Sequence, residues 1–284
     1  MLIIQLTGGL GNQLFQYAAA RAHMLRLDTE LYLDKTHFLP TPTGKKNLRQ
    51  YELHHFNVIE RFRKPAFHWV KKYFRVKNMY VAAKTFRETH VHIHPEFFEI
   101  SGDTYIEGCF QSEKYFKQYE NVIRKELSFK TKATGKNAEL LEKIKTVNAV
   151  SLHVRRGDYV SNSETLKVHG VCGLDYYERA VKHIESVIDN PYFFLFSDEP
   201  EWVQQNLTLN HPYEIINHNK GESSFEDIRL MSACNHHIIA NSSFSWWGAW
   251  LNPNENKIVI APERWFADKQ HNSNDIIPEK WLKV

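Results

Sequence analysis

The feature that most constrains this chain is its alternation of short apolar runs with amphipathic stretches, punctuated by glycines and small polar residues. Residues 1–6, MLIIQL, form an apolar run that ends at Gly8 and Gly9. A helical pattern then starts near Asn12, with Leu14, Phe15, Ala18, Ala19 and Ala22 on one side. This reads as strand, glycine turn, helix. A second short strand at 30–33 ends at Asp34, so the chain opens like a βαβ unit. The alternation resumes late in the chain, with strands expected at 149–154, 192–197, 213–216, 237–240 and 257–261. Helices are expected between them at 175–188, from 199, at 224–233 and within 243–251. Strands that alternate with helices predict parallel sheets, and such sheets bind ligands beyond the carboxyl ends of their strands.

The middle of the chain is less regular, and helices are expected there at 65–74, 112–127 and 137–145. The polar, basic stretch KTKATGKN at 130–137 has the composition of an exposed connection. The domain boundary is therefore placed near residue 146, giving an N-terminal α/β domain at 1–145 and a C-terminal Rossmann-like domain at 146–284. A length of 284 residues with 42% hydrophobic and 24% charged content suits two globular domains. The formal charge of +3, from 36 basic against 33 acidic residues, calls for no nucleic-acid partner. Cys109, Cys172 and Cys234 have neither disulfide-framework nor metal-like spacing, which fits a reducing compartment. No secretory leader is visible and no apolar run approaches the roughly 18 residues of a membrane span, so a cytoplasmic location is expected. Basic and aromatic residues interleave at 61–84, either as a solvated amphipathic face or as a peripheral contact with anionic lipid at the inner face of the cell membrane.

Four segments place chemistry-bearing residues directly after expected strands. In GGLGNQLFQYA (8–18), Gly9, Gly11 and Asn12 bring backbone and an amide to a helix N-terminus, which either approaches an anion or only makes a tight turn. Leu14 occupies the place where a dinucleotide fingerprint needs a third small residue, although Asp34 stands near the position of a ribose-binding acid. In HVRRGDY (153–159), the guanidinium groups of Arg155 and Arg156 suit a diphosphate, with ordinary ion pairing at a strand end as the alternative. His153 lies beside them, and Asp158 is placed to hold one arginine. In SDEPEW (197–202), Asp198 either meets a ribose hydroxyl or caps the following helix. In the long segment at 226–251, Ser242 and Ser243 are N-cap candidates whose hydroxyls also suit phosphate oxygens, and Phe244 suits packing on a sugar or base. Asp227 either interacts with its helix dipole or accepts a pair of N–H groups such as guanine carries. Trp246, Trp247 and Trp250 read as core, with a sugar-binding platform as the alternative.

Sixteen histidines raise the question of a metal. His54 with His55, His92 with His94, and His236 with His237 have no carboxylate or cysteine partners at ligand spacing. The chain also contains no Asp-x-Asp triplet, so no metal or other cofactor is expected and arginine must meet the charge of any sugar diphosphate.

Together, GGLGNQLFQYA, HVRRGDY, FSDEPEW and LMSACNHHIIANSSFSWWGAWLN, in this order and spanning nearly the whole chain, resemble glycosyltransferase family 11, the α-1,2-fucosyltransferases. The arginine motif is shared more loosely with α-1,6- and protein O-fucosyltransferases. The resemblance implies a GT-B-like α/β fold, with two Rossmann-like domains whose parallel sheets face across a cleft. It implies GDP-β-L-fucose as donor, a galactose-terminated oligosaccharide as acceptor, lipid-linked or free, and an inverting, metal-independent transfer to the 2-hydroxyl. By resemblance, Arg155 contacts the diphosphate with His153 beside it, and Asp227 reads the guanine. Ser242, Ser243 and Phe244 then line the nucleotide site, and Asn12 reaches the donor with Gly9 and Gly11. Two rival classes remain at this stage: a dinucleotide-dependent oxidoreductase, supported by Asp34, and a carbohydrate-binding module using the three tryptophans.

Overall fold

The opening apolar run forms β1 (Leu2–Gln5) of a computed structural model that describes residues 1–40, 49–63, 84–268 and 270–284. The chain divides into two units, Met1–Lys130 with Asn274–Ile276, and Thr131–Ser273 with Ile277–Val284.

In the first unit β1 is followed by α1 (Leu10–Leu27) and β2 (Leu31–Asp34), and the sheet is completed by β3 (Lys84–Arg87) and β4 (Thr104–Glu107). All pairs are parallel, in the order β2-β1-β4-β3. β3 was not foreseen because its sequence, KTFR, is largely exposed at the sheet edge and shows no apolar alternation. Gly8 turns the chain into α1 at φ +73°, where a side chain would be strained and its Cβ would lie 2.8 Å from Asn12 Nδ2. The helix ends at Asp28 in the left-handed region, φ 46°. Inside α1, Arg21 pairs with Glu126 at 2.6 Å, and Tyr17 donates to the same carboxylate at 2.6 Å. That carboxylate belongs to α2 (Glu120–Glu126), the only part of the helix expected at 112–127 that is α-helical. Before it come two 3-10 turns, and Phe116 leaves helical geometry at φ −136°, placing its buried ring 6.2 Å from Phe15. The helix expected at 65–74, and most of the basic stretch at 61–84, lie outside the described residues.

The second unit holds six parallel strands in the order β10-β9-β8-β5-β6-β7. At its centre β5 (Asn148–Val154) pairs along its whole length with β6 (Pro191–Ser197). β7 (Tyr213–Ile216) flanks β6, while β8 (His236–Ile238), β9 (Val259–Ala261) and β10 (Leu282–Lys283) extend the sheet on the other side. Side-chain alternation sends Val150, Leu152, Val154, Phe193 and Leu195 to one face, where α6 (Leu174–Val187) packs Tyr176, Tyr177, Ala180 and Ile184 against them. Ala149, Phe194 and Phe196 face the other way. They meet Leu140 and Ile144 of α3 (Gly135–Lys145) and Leu230 and Met231 of α8 (Phe225–Ala233). α3 thus belongs to the core of the second unit, which is why the chain divides at Lys130 rather than near 146. Two short helices after β5, α4 (Gly157–Ser161) and α5 (Ser163–His169), were not foreseen, and α7 (Pro200–Asn206) follows β6.

α9 (Ser243–Leu251) is apolar on every side and correspondingly buried. Trp246 and Trp247 are fully enclosed, Trp250 is nearly so, and Trp281 closes on Trp246 at 5.4 Å between centroids. The tryptophans are core, so the sugar-platform reading loses its surface. Among the described residues no helix is long and apolar enough to cross a membrane.

The α8–α9 contact depends on Gly248, where an added Cβ would lie 2.7 Å from Met231 Cβ. Gly248→Ala should therefore destabilise the protein by about 1–3 kcal/mol, the usual cost of overpacking a close-packed core. Urea unfolding followed by tryptophan fluorescence measures this, and an unchanged midpoint would contradict the packing.

Candidate active site

Polar side chains gather where four neighbouring strands of the second sheet end. β5 delivers His153 on its last turn of pleat, buried on the same face as Ala149, and its ring stands 6.0 Å from Phe244. Nδ1 of His153 is buried without a hydrogen-bond partner among the described residues. Burial, and secondarily the Arg155 charge, push its pKa down to about 3, so the imidazole is neutral.

Arg155 follows two residues later and is held from two sides. Nη2 pairs with Asp158 on α4, and Nη1 lies 2.9 Å from Asp198 beyond β6. The Tyr159 ring sits below the guanidinium at 5.2 Å. Asp198 also accepts the Arg156 N–H at 3.0 Å, so its carboxylate braces the whole turn. It does not cap α7; Ser197 Oγ accepts the Glu199 N–H at 3.0 Å instead. Gly157 is required by this arrangement, because a Cβ there would collide with the Asp198 carboxylate. Arg156 is directed elsewhere, to Glu199 at 2.9 Å and flat over Trp202 at 3.9 Å. Both arginines therefore make ion pairs at the strand ends, Arg156 with Glu199 and Arg155 with Asp158 and Asp198.

The exit of β8 is organised by Asn241, a residue with no expected role. Its buried amide donates to the carbonyls of His169 at 2.9 Å and Trp265 at 3.1 Å, and its own carbonyl accepts Tyr159 OH at 3.4 Å. Ser242 caps α9 by accepting the Phe244 N–H at 3.3 Å, with Ser243 next in the first turn. Asp227, on the first turn of α8, accepts from Asn219 at 2.8 Å. Burial, offset in part by that bond, pushes its pKa up to about 7. His153, Arg155, Asp158 and Asp198 thus form one cluster joined to Phe244, whereas Asp227 lies with Asn219 beyond β7 on the same sheet edge.

Gly9, Gly11 and Asn12 belong to the first unit, after β1. Gly9 is the N-cap of α1, and Asn12 Oδ1 accepts from Gln111 at 2.8 Å. Two buried glutamines that the sequence did not single out brace this loop. Gln13 donates to the carbonyls of Gly8 (3.1 Å) and Gln50 (2.8 Å), and Gln16 bonds Thr7 and the Gly108 carbonyl, each at 3.0 Å. Asp34 is fully engaged inside: its oxygens accept the Thr36 N–H at 2.9 Å and Tyr105 OH at 2.7 Å. That removes the one residue that favoured a dinucleotide. The His236–His237 pair is structural, with His237 held by Ser151 and Asn252, each at 2.8 Å. Among the described residues no three His, Cys, Asp or Glu side chains are grouped to hold a metal ion.

The sequence profile of Glycosyl transferase family 11 matches residues 1–284. The chain belongs to this family. It is therefore a glycosyltransferase of the α-1,2-fucosyltransferase family. Among its relatives, the α-1,2-colitosyltransferase of Escherichia coli is 33% identical over 288 residues, covering 100% of this chain and 99% of that protein. The O-antigen biosynthesis glycosyltransferase WbnK of Escherichia coli is 32% identical over 305 residues, covering 98% and 99%. Among solved structures, NodZ α-1,6-fucosyltransferase soaked with GDP-fucose aligns at a TM-score of 0.52 with 15% identity, covering 89% of this chain and 92% of that one. At that identity the likeness establishes the shared GT-B-type fold alone.

Because the unfolded chain protonates a histidine below about pH 6.5 and the folded transferase keeps His153 neutral to about pH 3, this residue costs stability progressively as pH falls between those values. Its ring nitrogens should show neutral-imidazole 15N shifts at pH 5 in the folded protein. An imidazolium signature there would contradict the enclosed geometry.

Proposed function

We propose that this family 11 enzyme transfers L-fucose from GDP-β-L-fucose to the 2-hydroxyl of a galactose-containing glycan, with inversion and without a metal. The observation that carries the reading is the doubly braced Arg155 beside the neutral His153, whose Nδ1 has no hydrogen-bond partner among the described residues, at the carboxyl edge of the second sheet. As the fucosyl bond breaks in a loose, oxocarbenium-like displacement, negative charge grows on the departing GDP. A guanidinium already locked in place stabilises that charge without reorganising. Asp158 and Asp198 serve as its counter-ions, so neither is assigned as a base. Ser242, Ser243 and Phe244 line the nucleotide site, and Asp227 accepts from guanine. Gly9, Gly11 and Asn12 are kept as donor contacts on the family resemblance alone.

Linkage analysis of products formed from GDP-fucose and a panel of free and lipid-linked galactosides tests the reaction. One relative is named for colitose, so the donor panel includes the GDP-linked form of that sugar as well. Failure to form an α-1,2-linked fucoside with any galactoside would overturn the assignment. Activity should persist in excess EDTA, because arginine rather than an Asp-x-Asp triplet meets the diphosphate. Loss that manganese or magnesium restores would show otherwise.

The two arginines should separate sharply. Arg155→Ala removes the preorganised donor and leaves two carboxylates where the diphosphate must sit, so turnover at saturating donor should fall by at least about 10²- to 10³-fold. Arg155→Lys should also be damaging, since an ammonium cannot replace the planar fork. Arg156→Ala, which loses a contact with Glu199 and Trp202, should retain much more activity. A folded Arg155→Ala enzyme with near-parental turnover would falsify the assignment.

A further inference from the structure

We propose that Asn219, clamped by Asn137, is a positioning residue that orients the Asp227 carboxylate and favours its charged, base-reading form. The proposal rests on the reading of Asp227 as the guanine acceptor. Three elements converge here: Asn137 in the first turn of α3, His218 and Asn219 in the loop after β7, and Asp227 in the first turn of α8. The amides of Asn137 and Asn219 bond each other reciprocally, Nδ2 of Asn137 donating to Oδ1 of Asn219 at 2.9 Å and Nδ2 of Asn219 donating to Oδ1 of Asn137 at 3.0 Å. The second N–H of Asn219 goes to Asp227 Oδ1 at 2.8 Å.

The direction of this network is set by the ionised Asp227 carboxylate, which can only accept. Nε2 of His218 lies 2.8 Å from Asn137 Oδ1, and in the Nε2–H tautomer it donates to that oxygen alongside Asn219. Burial, and then Lys136, keep His218 below the usual histidine range and so favour the neutral ring. With Asn137 oriented as found, a flipped Asn219 amide would lose both bonds to Asn137 and turn its oxygen towards the carboxylate.

A donor aimed at a carboxylate favours the charged form, and Asn219 is such a donor to Asp227. Its helix neighbour Glu226 opposes ionisation, although Glu226 is itself neutralised by Arg229 at 2.7 Å. Arg229 is committed to Glu226 and to the Thr131 carbonyl. On the neighbouring strand, Glu214 is paired with Lys143. Asn219 is thus the group that works against burial, and a protonated Asp227 cannot accept two N–H groups from a base.

Calorimetric titration with GDP between pH 6 and 8.5, on the parent and folded variants checked by circular dichroism, separates positioning from mere scaffolding. For Asn219→Ala the Asp227 titration should move up by about one pH unit, the scale of a lost charge-assisted hydrogen bond. The parent should then bind GDP about tenfold more tightly at pH 6, and the ratio should shrink to within about twofold at pH 8.5. Asn137→Ala should shift the ratio in the same direction by less. A ratio that stays constant with pH overturns the proposal while leaving the guanine reading intact. GDP binding by Asp227→Asn that equals the parent overturns the guanine reading itself.

Discussion

The site is organised around one cation held by two anions. Arg155 leaves the end of β5 and meets Asp158 from the next helix and Asp198 from the end of the next strand. An exposed arginine gives up much rotamer freedom when it grips a ligand; here the folded sheet has already imposed that loss. The arrangement needs parallel β5 and β6 in register, Val154 opposite Ser197, so that both carboxylates arrive from adjacent strand ends. It also needs a glycine at 157 to admit Asp198. The central strand pairing therefore sets the angle at which one guanidinium is presented, and through it any chemistry proposed for Arg155.

Much of this frame is legible in the sequence, because its causes are local. Apolar alternation exposes β5 and β6, a glycine turn marks the entry to α1, and arginines after a buried strand point to a sheet edge. What escapes is whatever depends on partners far along the chain. Nothing near Asp198 announces that it braces Arg155 and the following N–H, 42 residues away in sequence. Asn241 looks like any polar residue after a strand until its amide is seen joining His169 to Trp265. The domain boundary was placed too late because the polar composition of 130–137 is local, whereas the membership of α3 is decided by Leu140 and Ile144 against distant phenylalanines.

The rival readings fall for the same reason. Asp34 stands at a suggestive distance from the glycine loop, yet Tyr105, from two strands further on, closes over it. The tryptophan run of α9 could pass for a sugar surface until all three rings prove to be buried. Sequence distance suggests function in both places, and packing assigns structure.

Three aspartates at one sheet edge show how partners, rather than residue type, divide the labour. Asp158 and Asp198 each face the same guanidinium, so their charge is matched and their oxygens are spent on holding it. Asp227 has no cation of its own: its bonded partner is a neutral amide, and burial works against its charge. A carboxylate bound to arginine has its charge matched even where it accepts a further N–H, as Asp198 does. One bonded only to an amide retains the negative potential that draws paired N–H groups. The same local chemistry therefore separates a structural pair, which makes Arg155 rigid, from the residue proposed for recognition, whose carboxyl pKa is pushed up to about 7 by burial. It is this second residue, and not the arginine cluster, whose behaviour should respond to small changes in its neighbours.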